Sequence, residues 1–177
     1  MSEQKPETLE FPPLEKSINH YEMPFPRDTQ VTNIEKDGPA HIGPFRGAID
    51  YIMALGTSVV APLDGVISDV YDRHEKYGPT DEFVNDANYI TIAHANGEFS
   101  QVVHLAKDSS KVKKGDKVKA GQKIAITGNS GWMTEPHLHF FVFTLDNIRE
   151  GFIGLEPQFK QETPRTNILT KLHLKKL

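Results

Sequence analysis

The sequence predicts an all-β domain, an antiparallel two-layer sandwich-like fold, on three observations. Short apolar runs recur from Gly47 onward, glycine, proline, asparagine and aspartate punctuate them, and no stretch sustains a helical period. The runs are 48–53, 59–61, 65–70, 89–94, 100–105, 123–127 and 137–143. With 177 residues the chain has material for one core and not for two large ones. The expected layout is a flexible arm over 1–20, a domain over 21–160 and a tail over 161–177.

Taken in order, residues 1–16 are polar and proline-bearing with no period, the composition of a loosely held arm. Residues 21–26 combine apolar side chains with two prolines, which suits an irregular or edge segment. A short strand is expected at 31–34. Residues 37–44 are dense in turn formers and form a loop that carries His41. The polar stretch 71–88 reads as a long insertion on one rim, and 131–136 as a second rim loop. Asn96-Gly97 is the strongest hairpin signal, because both residues tolerate the positive φ of a type I′ turn. It pairs the flanking strands antiparallel. After Phe143 the pattern loosens at Gly151, Gly154 and Pro157, and 163–177 is either a short strand or tail.

Composition excludes several classes. Hydrophobic residues at 37%, charged residues at 25% and a net charge of −4 argue against wholesale disorder and against a nucleic-acid footprint. Cysteine is absent, so any metal is held by nitrogen and oxygen. No apolar run reaches the roughly 20 residues of a transmembrane segment. Residues 1–20 lack the basic start and apolar stretch of a secretory signal.

The residues that carry chemistry centre on Glu135-Pro136-His137-Leu138-His139-Phe140. In a strand, alternate side chains share a face, so His137 and His139 project together. Asp50 lies among apolar neighbours, where an unpartnered carboxylate is costly, and His104 sits in an otherwise uncharged strand. A catalytic zinc takes three nitrogen or carboxylate ligands and keeps a fourth position open. His41, Asp50, His104, His137 and His139 are the candidates.

These blocks, in order from His41 to Phe143, resemble the peptidase M23 metallopeptidases, the LytM or lysostaphin-like enzymes. The matching pieces are His41 with Asp50, residues 56–67, 90–97, Val103-His104-Leu105, 112–122, and the Gly128-Asn129-Ser130-Gly131 loop that leads into the His-x-His strand. The resemblance implies zinc held by His41, Asp50 and His139. It implies His137 as general base, and His104 as oxyanion donor or proton shuttle. The implied substrate is a glycine- or D-alanine-containing stem or bridge peptide of peptidoglycan, and the implied compartment is periplasmic or extracellular. His94 falls at a family position that looks structural, while His20, His74 and His173 have no supporting context.

One departure divides the reading. The family's His-x-Gly-x-Asp spacing puts Arg46 where the first ligand belongs, and a guanidinium has no lone pair to give. Either the loop is expanded and His41, nine positions before Asp50, supplies the nitrogen, or the site is zinc-free and the chain is an inactive, partner-binding regulator. A third reading comes from another class. Residues 61–67 and 103–105 also resemble the sugar-phosphotransferase IIA phosphocarrier domain, which makes His94 or His104 a phosphate carrier and leaves Asp50 without a role. The 115–124 hairpin lacks the methionine-flanked lysine of a lipoyl or biotinyl carrier.

Overall fold

Strand β12 (His137–Asp146) is the element every layer meets. The computed structural model describes residues 11–146 and 151–160. In chain order the strands before β12 are β1 (Lys16–Tyr21), β2 (Asn33–Glu35), β3 (Ile49–Ile52), β4 (Ser58–Val60), β5 (Gly65–Tyr71) and β6 (Tyr77–Gly78). There follow β7 (Tyr89–Ala93), β8 (Glu98–Val103), β9 (Lys117–Val118), β10 (Lys123–Ile126) and β11 (Gly131–Trp132), and β13 (Gly151–Phe159) comes after β12. The large sheet runs β1-β13-β12-β8-β7-β5-β9, with β3 and β2 attached beside β12.

One edge of β12 pairs with β8 from His139 to Thr144. The other edge is shared: β3 takes His137 to Phe140, and β13 takes Val142 to Asp146. Alternation then sorts the side chains. Leu138, Phe140 and Val142 are fully buried in the main core with Ile67, Ile90, Ile92 and Val102 from β5, β7 and β8. The small β4–β10 sheet closes that core as a second layer with Val59, Ile124 and Ala125. His137, His139, Phe141 and Phe143 face the opposite way, toward a groove.

The structure revises the expected elements in three places. Lys16–His20, assigned to the flexible arm, belong to β1, which pairs parallel with β13. Their tether is the buried Glu98 carboxylate, which accepts hydrogen bonds from the backbone N–H groups of Ile18 and Asn19, from Asn19 Nδ2 and from the Tyr21 hydroxyl. A partner 77 residues away leaves no local trace. Secondly, the stretch that looked broken by Gly151, Gly154 and Pro157 is the nine-residue β13. Pro157 lies past Leu155, the last partner of β12, and at a register shift in the β1 pairing, where a missing N–H interrupts little. Thirdly, the pairing is antiparallel except for β1 with β13 and β6 with β11. The short strand expected at 31–34 lies at Asn33–Glu35. The expected tail over 161–177, and any strand in it, falls outside the described residues, as do residues 1–10.

The Asn96-Gly97 turn forms as anticipated: Asn96 has φ 61°, Gly97 has φ 70°, and the Glu98 N–H donates to Ala95 O. It joins β7 to β8 antiparallel. Gly154 has a different task. A Cβ there would collide with the Arg46 carbonyl and come within 2.9 Å of the Phe141 ring, because the 43–47 loop lies directly on β13. Gly154→Ala is therefore expected to lower stability by about 3 kcal/mol or more. Gly121→Ala, at φ 80° with open space around it, should cost about 1 kcal/mol. Urea unfolding midpoints of the two variants compare the effects.

Candidate metal centre

The register of β3 against β12 builds the centre. Asp50 is the direct cross-strand partner of His139, and His137 lies two residues earlier on the same face. His41 enters from the 37–42 loop, its N–H bonded to Gly38 O, and is 7% exposed. His104 follows the end of β8 instead of lying within it, and it takes a left-handed backbone, φ 63°. That conformation is costly for a residue with a Cβ, and neighbouring bonds hold it. The His104 carbonyl accepts from Gly128 N, and the next carbonyl, Leu105 O, accepts from both Asn88 Nδ2 and Ser130 Oγ.

Three of the four rings are oriented alike. Nδ1 of His41 lies 3.0 Å from Lys36 O, that of His104 2.7 Å from Ser130 O and that of His137 2.8 Å from Glu135 O. A carbonyl oxygen only accepts, so each Nδ1 carries the hydrogen and the neutral ring keeps its lone pair on Nε2. His139 is turned the other way, with Nδ1 2.8 Å from Asp50 Oδ1. His41 Nε2 lies 3.1 Å from Asp50 Oδ2, is fully buried and makes no hydrogen bond. His137 Nε2 is 3.7 Å from Oδ1. The rings of His104 and His137 meet edge to face at 4.4 Å.

Electrostatics separate these groups. Burial raises the Asp50 carboxyl, but the hydrogen bond to His139, the close approach of the His41 ring and the charge of His139 and His137 overwhelm it and hold the group ionised far below the usual carboxylate range. Burial lowers His41, and the Asp50 carboxylate with the Lys36 carbonyl outweighs it, so the net direction is up. His104 goes the opposite way. Burial first, then the neighbouring His137 and His139, push it down to about 3, so it is neutral at physiological pH.

The structure thus gathers all five predicted residues, and His41, Asp50 and His139 place ligand atoms within 4.8 Å of one another. Arg46 is elsewhere. Its Nε donates to Gly43 O, its Nη2 to Pro12 O, and its guanidinium lies over the Phe11 ring. His94 has both ring nitrogens engaged, with Asp64 O and Ser100 Oγ, as a structural histidine should. The phosphocarrier reading, which left Asp50 idle, does not fit a carboxylate set among imidazoles. His20 is exposed, and His173 lies outside the described residues.

Residues 44–148, more than half the chain, match the pattern of Peptidase family M23. The chain belongs to peptidase family M23. The matched span holds Asp50, His104, His137 and His139 and starts three residues after His41. Peptidoglycan DD-endopeptidase ShyA of Vibrio cholerae is 38% identical over 99 residues, which are 56% of this chain and 20% of that protein. Glycyl-glycine endopeptidase ALE-1 of Staphylococcus capitis is 40% identical over 93 residues, 52% of this chain and 23% of the relative. The chain therefore spans about a fifth of the length of these relatives. Among solved structures, a zinc containing peptidase from Vibrio cholerae superimposes with a TM-score of 0.54 at 27% identity, covering 82% of this chain and 41% of that one. The M23 fold is thus shared, and the mainly antiparallel, curled sheet agrees with the expected all-β class.

The M23 groove contains more than the sequence reading named. Beside the cluster lies a cavity of about 720 Å³, and Phe45, Phe141, Phe143 and Phe152 line one side of it. Phe141 and Phe143 were detectable in principle, because they share strand parity with His139. Phe45 lies in the loop that links His41 to Asp50. The two rim loops do line the cavity, through Tyr71, His74, Val84 and Trp132. They are stitched together by the parallel β6–β11 pair and by Trp132 Nε1 donating to Pro79 O.

The depressed His104 gives a pH test on metal-free protein. The unfolded chain binds this proton near pH 6.5 and the folded one only near 3, so the unfolded state holds more protons between those values. Stability from this group is present above 6.5 and is lost as pH falls. Between pH 7 and pH 5 wild type should lose about 2 kcal/mol more than His104→Asn, whose asparagine tolerates the left-handed backbone. The opposite contribution of His41 is common to both proteins. Urea titrations in chelator at the two pH values measure the difference.

Proposed function

We propose that this chain is a zinc-dependent endopeptidase in which His41, Asp50 and His139 hold the ion. The observation that carries the reading is the bare Nε2 of His41, buried and 3.1 Å from a carboxylate oxygen. In the neutral ring this is a lone pair against an anion, a contact that a shared cation makes favourable. Two nitrogens and a carboxylate suit zinc, whose ligands at about 2.0–2.1 Å stand roughly 3.3 Å apart in a tetrahedron. The 2.8 and 3.1 Å separations within the cluster are close to that spacing.

When bound, zinc supplies a Lewis acid that polarises a peptide carbonyl and makes water acidic near neutral pH. His137 is the general base. Its Nδ1–H is engaged by Glu135 O, which leaves Nε2 beside the cluster to take the proton of the attacking water and pass it to the leaving amine. His104 has the same polarity and is kept neutral, so its Nε2 accepts a hydrogen bond at the groove rather than standing as an oxyanion donor. The peptide bonds proposed are those of peptidoglycan cross-links; among the relatives, ShyA is named a peptidoglycan DD-endopeptidase and ALE-1 a glycyl-glycine endopeptidase.

Metal analysis on purified protein should find about one zinc per chain, lost in His41→Ala and in Asp50→Ala and retained in Arg46→Ala. His137→Ala should keep zinc and lower kcat at least about a hundredfold on a peptidoglycan-derived peptide. Wild type that takes up no zinc would overturn this in favour of a non-enzymatic binding module, and full hydrolysis after Asp50→Ala would overturn the ligand set.

A further inference from the structure

The cavity beside the cluster is chemically lopsided. Among the described residues that line it there is no aspartate, glutamate, lysine or arginine. The ionisable side chains on its lining, tyrosines aside, are His74, His104 and His139. One wall is instead a packed group of phenyl rings that starts at the proposed metal site: Phe141 lies 6.5 Å from the His139 ring, Phe45 lies 5.4 Å from Phe141, and Phe152 lies 5.1 Å from Phe45. Phe141 is buried, whereas Phe45 is 41% exposed and forms the accessible surface of the wall.

The wall is held in advance of any ligand. Phe45 belongs to the expanded loop between His41 and Asp50, in the short 3-10 turn Gly43–Phe45. Its N–H donates to Ile42 O, and Ala48 N–H donates to its carbonyl. The loop sits on β13 through close backbone contact at two glycines: a Cβ on Gly47 would come 2.5 Å from Leu155 O, and one on Gly154 would strike Arg46 O. Arg46 ties the same loop to Pro12. Glycine or alanine bridges offer this fixed wall nothing to bury, while a leucine or phenylalanine side chain does.

We propose a further activity for the site: hydrolysis of uncharged peptides that carry a bulky apolar side chain beside the scissile bond, with that side chain lying on Phe45. The inference rests on the peptidase reading above and adds a substrate class to it. Water adds across one C–N bond, its hydroxyl to the carbonyl carbon and its hydrogen to the nitrogen, giving a carboxylate and an amine.

The test uses zinc-loaded full-length chain and quenched fluorescent peptides: pentaglycine, and the same peptide with leucine, phenylalanine, glutamate or lysine at each position in turn. Product masses identify the bond. The best leucine or phenylalanine peptide should exceed pentaglycine in kcat/KM by at least about tenfold, and the glutamate and lysine peptides should not. Phe45→Ala should reduce that ratio to about threefold or less, and Phe45→Leu, which keeps an apolar wall, should retain most of it. Fluorescence anisotropy of the labelled peptides on His137→Ala reads the groove without turnover, and the same order of affinities is expected there. Apolar preference in binding, with no hydrolysis of any peptide by wild type, would sink the peptidase reading and leave the groove assignment standing. Equal or better handling of pentaglycine, or a preference that survives Phe45→Ala unchanged, overturns the proposal.

Discussion

Strand β3 lies against β12 in a register that sets Asp50 opposite His139, and nearly everything chemical in the molecule follows from that pairing. The pairing aims both side chains at the groove, and His137 joins them because it is two residues away in the same strand. A slip of one residue would turn Asp50 into the main core and Ile49 or Tyr51 toward the imidazoles. The buried Tyr51 and Ile49 on one face, and the need of a carboxylate for partners on the other, oppose that slip together.

The same pairing creates an imbalance of charge that the fold sustains. One carboxylate is held ionised among imidazoles, and the ring nearest to it on the loop side turns a bare nitrogen toward it. The surrounding backbone enforces the arrangement: three Nδ1 atoms are taken by carbonyls of Lys36, Ser130 and Glu135. His104 even occupies a left-handed conformation, which the bonds converging on its own and the next carbonyl over-determine. Orienting imidazoles through backbone carbonyls makes the direction of each lone pair a property of the fold.

Expansion of the loop between His41 and Asp50 has two effects. It lets a histidine nine positions upstream of the aspartate reach the cluster, and it brings Phe45 to the groove wall. Both depend on the tight seating of Arg46-Gly47 on Gly154-Leu155, where β3 gives way to β13 along the edge of β12. Arg46 acts here as a clasp for the chain ahead of β1, through Pro12 and Phe11.

Strands β3, β4, β5, β7, β8, β10 and β12, the Asn96-Gly97 turn and the shared face of His137 and His139 were legible from the residues, because alternation and turn chemistry are local. Ordered motifs did the same for the family. The start of the sheet was not legible, since β1 is held by Glu98 from the far end of a hairpin. Nor was β13, whose glycine is there to admit another backbone, a contact with no signature in the flanking sequence. Spacing likewise left His41 and Arg46 as rivals for one position. Only the folded chain separates them, because the reach of a side chain across a loop is decided by where that loop is pinned, and the pins lie on a strand more than a hundred residues downstream.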